Sequence, residues 1–139
     1  GQAKTANILF SVELTRRLAG CGITANAVHP GAIATTDLAR HLGPSDFGEM
    51  MRRTKFSDRV PFKSMEAGAA TSVWAAVAPE LEGCGGLYLE DCHVAEVSDD
   101  PDNGQSGCRS YATDPLAARR LWSLSEQLAG ERFAWGDDD

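Results

Sequence analysis

The sequence feature that most constrains the fold is an amphipathic helix pattern followed by a glycine turn and a short strand pattern. Apolar residues recur near a period of 3.6 over Lys4–Leu18, and Gly20 and Gly22 then end the helix. Thr24–Val28 alternates small or polar residues with apolar ones, and Pro30-Gly31 ends the strand because proline donates no ladder hydrogen bond. This order is typical of the αβ half of a parallel βαβ unit. The pattern therefore predicts an α/β fold with a parallel sheet.

The later segments predict two more helices, a second strand and a loop. An alanine-rich helix begins after Ser64, a fair N-cap, and ends near Pro79. Leu87–Leu89 predicts a strand, and Ser98–Gly107 has the composition of a loop. Asp114 is the predicted N-cap of a terminal helix whose first residue is proline. About two strands with flanking helices are therefore expected.

The segment Asp37–Val60 is weakly periodic and supports more than one interpretation. Its apolar residues fit one or two short helices that break at Gly43-Pro44, with Ser45 or Asp46 as an N-cap. A long insert directly after a ligand-facing turn is often a mobile flap. A surface excursion with no catalytic role is an equally good interpretation.

Composition and charge exclude several classes of protein. The 139 residues, of which 42% are hydrophobic and 24% charged, fit one globular domain with a core. The net charge of −7 argues against broad binding to nucleic acid or anionic membranes, because neither polyanion would be attracted. No apolar run approaches membrane-spanning length. We therefore predict no nucleic-acid partner and no membrane partner.

The cysteines predict reduced thiols rather than a disulfide framework or a metal site. Cys21, Cys84, Cys92 and Cys108 are spread along the chain without a C-x-x-C pair, which is typical of a cytosolic protein. Asp91–His93 contains metal-binding residue types, but side chains that alternate across a strand do not converge on one ion. We therefore predict a cytoplasmic location and no metal.

Several runs of sequence together carry a resemblance to a known family. The chain resembles the second half of the short-chain dehydrogenase/reductase family through G-Q-A-K-T-A-N-I-L-F-S-V-E-L-T-R-R-L and G-I-T-A-N-A-V-H-P-G-A-I-A-T. The resemblance is to retinol-dehydrogenase-like and WW-domain-oxidoreductase-like members. It extends over nearly the whole chain through E-A-G-A-A-T-S-V-W-A-A, G-G-L-Y-L-E-D-C and D-P-L-A-A-R-R-L-W-S-L-S-E-Q-L.

The resemblance implies a fold and a domain organisation. Residues 1–139 would be the carboxyl-terminal portion of one NAD(P)-binding Rossmann-type domain, with a loop at 98–110 and a tail at 131–139. The doubly wound parallel sheet of that domain would be incomplete, because two strands cannot build a sheet that helices cover on both faces.

The resemblance also implies a catalytic role for Lys4. In the family a catalytic tyrosine is followed four residues later by a lysine, and the matching tyrosine would stand immediately before Gly1. Residues four apart share one face of a helix, so both side chains would point into one cleft. A nearby ammonium lowers the pKa of a phenol. The phenol would then exchange a proton with an alcohol or carbonyl substrate while hydride passes to or from NAD or NADP.

The turn P-G-x-[IV]-x-T lines the nicotinamide half of the cofactor in the family. By position, Gly31 would allow close backbone approach and the Ile33 backbone would bond the carboxamide. The Thr35 hydroxyl would meet amide or phosphate oxygens, with Thr36 as the alternative if the register shifts by one. The cofactor-binding residues implied by the resemblance are Lys4, Pro30, Gly31, Ile33 and Thr35.

The same resemblance predicts that the chain is a fragment, inactive on its own. The family's tyrosine, catalytic serine, first five strands and Gly-rich phosphate-binding motif do not occur in these residues. The expected partners are a small alcohol or carbonyl molecule and either a second copy of the chain or the missing amino-terminal half. The alternative function is a non-catalytic truncated product that acts as a protein-interaction module through uncovered apolar surface. Neither the substrate nor the choice between NAD and NADP follows from the residues.

Overall fold

The described part of the chain forms a three-stranded mixed sheet with flanking helices. The computed structural model describes residues 1–37, 40–41, 43–53, 62–100 and 106–134. The helices in this part are α1 (Gln2–Leu18), α2 (Pro44–Arg53), α3 (Met65–Val77) and α4 (Pro115–Ala129). The strands are β1 (Ala27–His29), β2 (Tyr88–Glu90) and β3 (His93–Val94). The predicted α/β class is confirmed, and the arrangement is consistent with part of a Rossmann-type fold.

The sheet has the order β1-β2-β3 and contains one strand that the sequence pattern did not predict. β1 and β2 are parallel, with His29 opposite Glu90, as expected. β3 is antiparallel to β2 and follows it through a tight turn at Asp91 and Cys92, whose φ angles are 48° and 58°. Positive φ at both central residues is typical of a type I′ hairpin. The interpretation of Asp91 and Cys92 as strand residues was therefore wrong.

β1 begins at Ala27, three residues later than predicted. In the residues just before it, side chains make several of the hydrogen bonds that a neighbouring strand would otherwise make. The Thr15 hydroxyl of α1 donates to the Ala25 carbonyl and accepts from the Ala25 N–H, both at 2.9 Å. The Asn26 side chain accepts from the Leu87 N–H at 3.0 Å and donates to the Cys84 carbonyl at 3.1 Å. These contacts join α1, β1 and the segment leading into β2.

Two of the predicted helix caps are confirmed. The Ser64 hydroxyl accepts the Ala67 N–H at 3.2 Å at the start of α3, and the Asp114 carboxylate accepts the Leu116 N–H at 2.9 Å at the start of α4. These are ordinary N-cap contacts that satisfy otherwise unpaired backbone donors.

The predicted cap of α2 was wrong. The helix begins at Pro44, one residue before Ser45, and the Asp46 carboxylate instead accepts the Gly43 N–H at 3.2 Å. Residues 38–39, 42 and 54–60 of the predicted flap lie outside the described residues, as do residue 61, residues 101–105 of the loop and residues 135–139 of the tail. The flap therefore stays a prediction.

The core between α1 and α4 fixes the position of α1. Trp122 is 6% exposed, and its ring stacks on Phe10 with a centroid distance of 5.5 Å. The Arg17 guanidinium lies 4.7 Å from the centroid of the same ring. Arg17 and Arg16 also bind the buried Glu13 carboxylate at 2.8 and 2.7 Å. The helix that carries Lys4 is thus held by both stacking and charge.

Candidate active site

The candidate site lies at the carboxyl ends of β1 and β2. β1 ends at His29 and is followed by the turn Pro30–Thr36, while β2 ends at Glu90 and is followed by Asp91. Because His29 and Glu90 are register partners in parallel strands, the two strand ends meet at one edge of the sheet. Ligands of open parallel sheets bind beyond this edge.

The turn after β1 is held in place by the Ile33 side chain, and it has an amide and a hydroxyl group that a ligand could bind. Ile33 lies against α3, where a Cβ atom on Gly68 would come within 3.0 Å of its Cγ1. The close approach therefore depends on glycine at position 68. In the described part of the chain, the Ile33 N–H donates to no group, and its carbonyl accepts from the Thr36 hydroxyl at 3.4 Å. The Thr35 side chain is exposed. A ligand at the turn could therefore meet the Ile33 amide and the Thr35 hydroxyl.

Gly31 has a left-handed backbone and a lysine side chain across it. Its φ is 80°, and a Cβ atom there would lie 2.7 Å from Cδ and 2.8 Å from Cε of Lys63. The Lys63 N–H donates to the Ala32 carbonyl at 2.8 Å, and its ammonium pairs with the Asp91 carboxylate. The hydrogen bond from Lys63 lowers the pKa of Asp91. Glycine at position 31 therefore has a structural reason that is separate from any ligand.

Lys4 lies in the first turn of α1 with an exposed side chain. Among the described residues its ammonium has no hydrogen-bond or ion-pair partner, so no bond joins it to the turn after β1. The Thr15–Ala25 contact ties the later part of α1 to the approach of β1. From that contact, α1 runs back about 16 Å to Lys4, and the strand runs on about 20 Å to Gly31. Because the chain reverses between them, Lys4 and the turn lie at the same end of this αβ unit.

Neither tyrosine of the chain is suited to act beside Lys4. Burial, together with the charges of Glu90 and Cys108, raises the pKa of Tyr88, which is the opposite of activation. Tyr111 lines an apolar hollow of about 750 Å³ with residues of α1 that include Ala3 and Ala6, but not Lys4. The hollow is a separate feature on another face of α1 and contains no predicted site residue.

Sequence reasoning missed the ion pair between Lys63 and Asp91 beside the candidate site. Lys63 stands next to a predicted helix cap, and nothing in its local sequence distinguishes it from a surface lysine. Asp91 was considered only as a metal ligand. In the described residues, no group of three or more His, Cys, Asp and Glu side chains is placed to hold a metal ion. No helix in the same part of the chain has the length and apolar character needed to cross a membrane.

Known proteins similar to this chain are oxidoreductases, although no family model matches it. A WW domain-containing oxidoreductase of Danio rerio is 43% identical over 132 residues, which is 94% of this chain. A probable oxidoreductase of Streptomyces lividans is 43% identical over 125 residues, or 88% of the chain. Retinol dehydrogenase 14 of Mus musculus is 37% identical over 131 residues, or 93% of the chain. All three are short-chain dehydrogenases/reductases.

The chain is homologous to members of the short-chain dehydrogenase/reductase family. The resemblance that the sequence motifs indicated is thereby confirmed. This homologue spans only part of the length of its relatives: 28% of the Danio rerio protein, 41% of the Streptomyces lividans protein and 34% of the Mus musculus protein.

Proposed function

We propose that the chain is part of an NAD(P)-dependent short-chain oxidoreductase that interconverts an alcohol and a carbonyl by hydride transfer. The observation that carries the proposal is the turn after β1, with an open Ile33 N–H and an exposed Thr35 hydroxyl at the same end as an unpaired Lys4 ammonium. Homology to oxidoreductases over 94% of the chain supports the same reaction class.

The proposed role of Lys4 is to activate a phenol. A tyrosine immediately before Gly1 would stand four residues before Lys4 and share its face of α1. The Lys4 ammonium would stabilise the phenolate and lower the pKa of that phenol, so that it exchanges a proton with the substrate oxygen near neutral pH. An ammonium has three donors, so Lys4 can also bind the ribose of the nicotinamide. NAD(P) supplies or accepts the hydride.

The proposed role of the turn is to hold and orient the nicotinamide. The Ile33 N–H is a free backbone donor that suits the carboxamide oxygen, and its position is fixed because the Ile33 side chain packs on Gly68. The Thr35 hydroxyl can accept from the carboxamide amine or donate to a phosphate. Pro30 and Gly31 set the course of the backbone into this turn.

The intact protein that contains these residues is where we expect activity, in the cytoplasm and on a small alcohol or carbonyl. The described residues include neither a Gly-rich phosphate-binding turn nor a phenol beside Lys4. We therefore propose that the 139-residue chain alone binds dinucleotide weakly and does not turn over substrate. In calorimetry with NADH and with NADPH, we expect no binding in the micromolar range. Clear micromolar binding would refute this part of the proposal.

The test of the proposed function is the coding sequence upstream of Gly1, followed by an assay. We expect a tyrosine codon directly before Gly1, a serine about a dozen residues earlier, and a Gly-rich turn near the start. The protein encoded by the longer reading frame should oxidise NADH or NADPH in the presence of an aldehyde or ketone. Absence of the tyrosine and the glycine motif from that frame would contradict the proposal.

A matched pair of variants assigns the activity to Lys4. In the longer protein, Lys4→Met should reduce kcat by about 100-fold or more, because the phenol loses its ammonium neighbour. Arg119→Met, on the exposed surface of α4, should leave kcat unchanged. Equal activity of the two variants would mean that Lys4 is an ordinary surface lysine.

A second candidate function is that of an interaction module, which exposed leucines on α4 favour. Leu116, Leu124 and Leu128 are 61%, 51% and 80% exposed, so α4 presents apolar side chains outward. Size-exclusion chromatography with light scattering separates the two candidates. Self-association or capture of a defined partner supports the interaction module, whereas a stable monomer over a wide concentration range counts against it.

A further inference from the structure

The Lys63 side chain connects three segments that meet at the candidate site. Its backbone N–H is bonded to Ala32 at 2.8 Å, so the residue is fixed beside the turn after β1. Its aliphatic stem crosses the face of Gly31, and its ammonium ends on the carboxylate of Asp91 after β2. The ion pair therefore spans the edge of the sheet where the two parallel strands end.

We propose that the Lys63–Asp91 ion pair is a latch that keeps the Lys63 stem over Gly31, and that a ligand reaches the Gly31 backbone only when this latch opens. The identity of the ligand, a nicotinamide dinucleotide, rests on the proposed function. The latch itself depends only on the contacts of the unliganded chain.

The Lys63 stem sterically excludes a ligand from one face of Gly31. The stem atoms Cδ and Cε of Lys63 lie 2.7 and 2.8 Å from the point where a Cβ atom on Gly31 would stand. Nonbonded carbon atoms keep a separation of about 3.5 Å or more. A ligand atom that contacts this face of Gly31 would therefore overlap the stem, and the Lys63 side chain must first move away.

The backbones at both ends of the ion pair are held by hydrogen bonds. Asp91 has a φ of 48° in the hairpin turn, and the next residue, Cys92, donates its N–H to the buried Thr71 hydroxyl at 3.2 Å. The backbone of Lys63 is likewise fixed through Ala32. The two backbones are therefore held in place, and the side-chain pair between them is the part that can open.

The Lys63–Asp91 ion pair is weak enough to open. The Lys63 side chain is 23% exposed and the Asp91 side chain 61% exposed. A pair with this much access to water favours its closed form by only about two- to five-fold. The closed form keeps other molecules away from Gly31. A ligand that binds only the open form can still shift the equilibrium toward that form.

Other charges near Asp91 have to be controlled in a test. His29 at the end of β1 and His93 in β3 both act on the Asp91 carboxylate, in addition to Lys63. Substituting both imidazoles, as His29→Gln and His93→Gln, leaves Lys63 as the main cationic partner of Asp91. Measurements in this background therefore isolate the latch.

The ligand-free test is the nuclear Overhauser effect between the Gly31 α-protons and the Lys63 ε-protons in the 139-residue chain. This effect reports how often the stem lies over Gly31 while the backbone stays fixed. Asp91→Asn should raise the ratio of the open to the closed form about two- to five-fold, which weakens the effect, and asparagine tolerates the left-handed backbone at this position. Lys63→Met, which keeps a stem of similar length but not the charge, should likewise weaken the effect at its ε-methyl group. Glu82→Gln, at an exposed site, is the control.

The ligand test uses NADH at millimolar concentration and the NMR signals of Gly31 and Thr35. Lys63→Ala removes the stem and should lower the dissociation constant about two- to five-fold relative to the unmodified chain. Arg119→Ala should leave the constant unchanged. Weaker binding by Lys63→Ala would overturn the latch and make Lys63 a ligand contact.

The two tests separate the latch from the proposed function. An unchanged Overhauser effect between Gly31 and residue 63 in both Asp91→Asn and Lys63→Met would overturn the latch, whatever NADH does. A weaker effect in these variants, together with no NADH-dependent shift in any of the chains, would sustain the latch and count against the nicotinamide site.

Discussion

The Thr15 hydroxyl holds α1 to the approach of β1, and its removal should weaken the fold by about 2 kcal/mol. In Thr15→Val the Ala25 N–H loses its partner, whereas the Ala25 carbonyl keeps the Gly86 N–H at 2.8 Å. A fully buried donor left without a partner costs about 1–3 kcal/mol, and the half-buried Ala25 N–H belongs in the lower part of that range. The new methyl group would also stand near the position of a hydroxyl that is 2.9 Å from both Ala25 atoms, closer than carbon permits. The unpaired donor and the crowded methyl group together give the expected loss of about 2 kcal/mol.

Urea unfolding followed by circular dichroism measures this loss. With a slope of about 2 kcal/mol per molar urea, the midpoint should fall by roughly 1 M. Thr15→Ser keeps the hydroxyl and should stay within about 1 kcal/mol of the unmodified chain. Thr5→Val makes the same change on the same helix, at a residue whose side chain has no hydrogen bond to any described residue, and should be nearly neutral. A free energy of unfolding for Thr15→Val within about 0.5 kcal/mol of that for Thr5→Val would refute the reasoning.

Three further predictions concern the scaffold around the site. Ser64→Ala removes the cap of α3 and should cost about 1 kcal/mol in urea unfolding, while Ser72→Ala in the same helix should cost less. Trp122→Ala should cost about 3–5 kcal/mol, because the ring is 6% exposed and packed between α1 and α4; a loss under 1 kcal/mol would contradict that packing. Burial tends to raise the pKa of Glu13, but its two arginine partners lower it overall to below the ordinary value for glutamate. The stabilisation from this pair is therefore present above that ordinary value and is lost as the pH falls through the lowered pKa. Glu13→Gln should reduce this dependence in thermal melts from pH 3 to 6.

The helices were predictable from the sequence because their signals are local. The caps at Ser64 and Asp114 lie within three residues of the N–H groups that they bind. The start of β1 was not predictable, because it depends on Thr15, ten residues earlier on another element. The alternation of polar and apolar residues around Thr24 looks the same whether the backbone there pairs with another strand or, as at Ala25, is hydrogen-bonded by the side chain of Thr15.

The site was predictable in part. The turn after β1 follows from Pro30-Gly31, which end a strand in any context. The hairpin at Asp91 and Cys92 was missed, because Asn-Gly or Asp-Gly is the usual signal for positive φ at two successive residues. The contact between Lys63 and Asp91 joins residues 28 apart, and no spacing rule connects them.

The packing of α1 on α4 has a consequence for the order of events during synthesis. Arg17 donates to the Phe133 carbonyl, a residue 116 positions later in the chain. At about 5–20 residues per second, that separation corresponds to roughly 6–23 seconds of translation. Until then, Phe10 has no Trp122 to cover it, and the helix that carries Lys4 depends on its contacts with β1 and with the segment leading into β2. A nascent chain that stops before residue 115 would therefore display this apolar surface to chaperones, and ribosome profiling with crosslinking should detect the exposure.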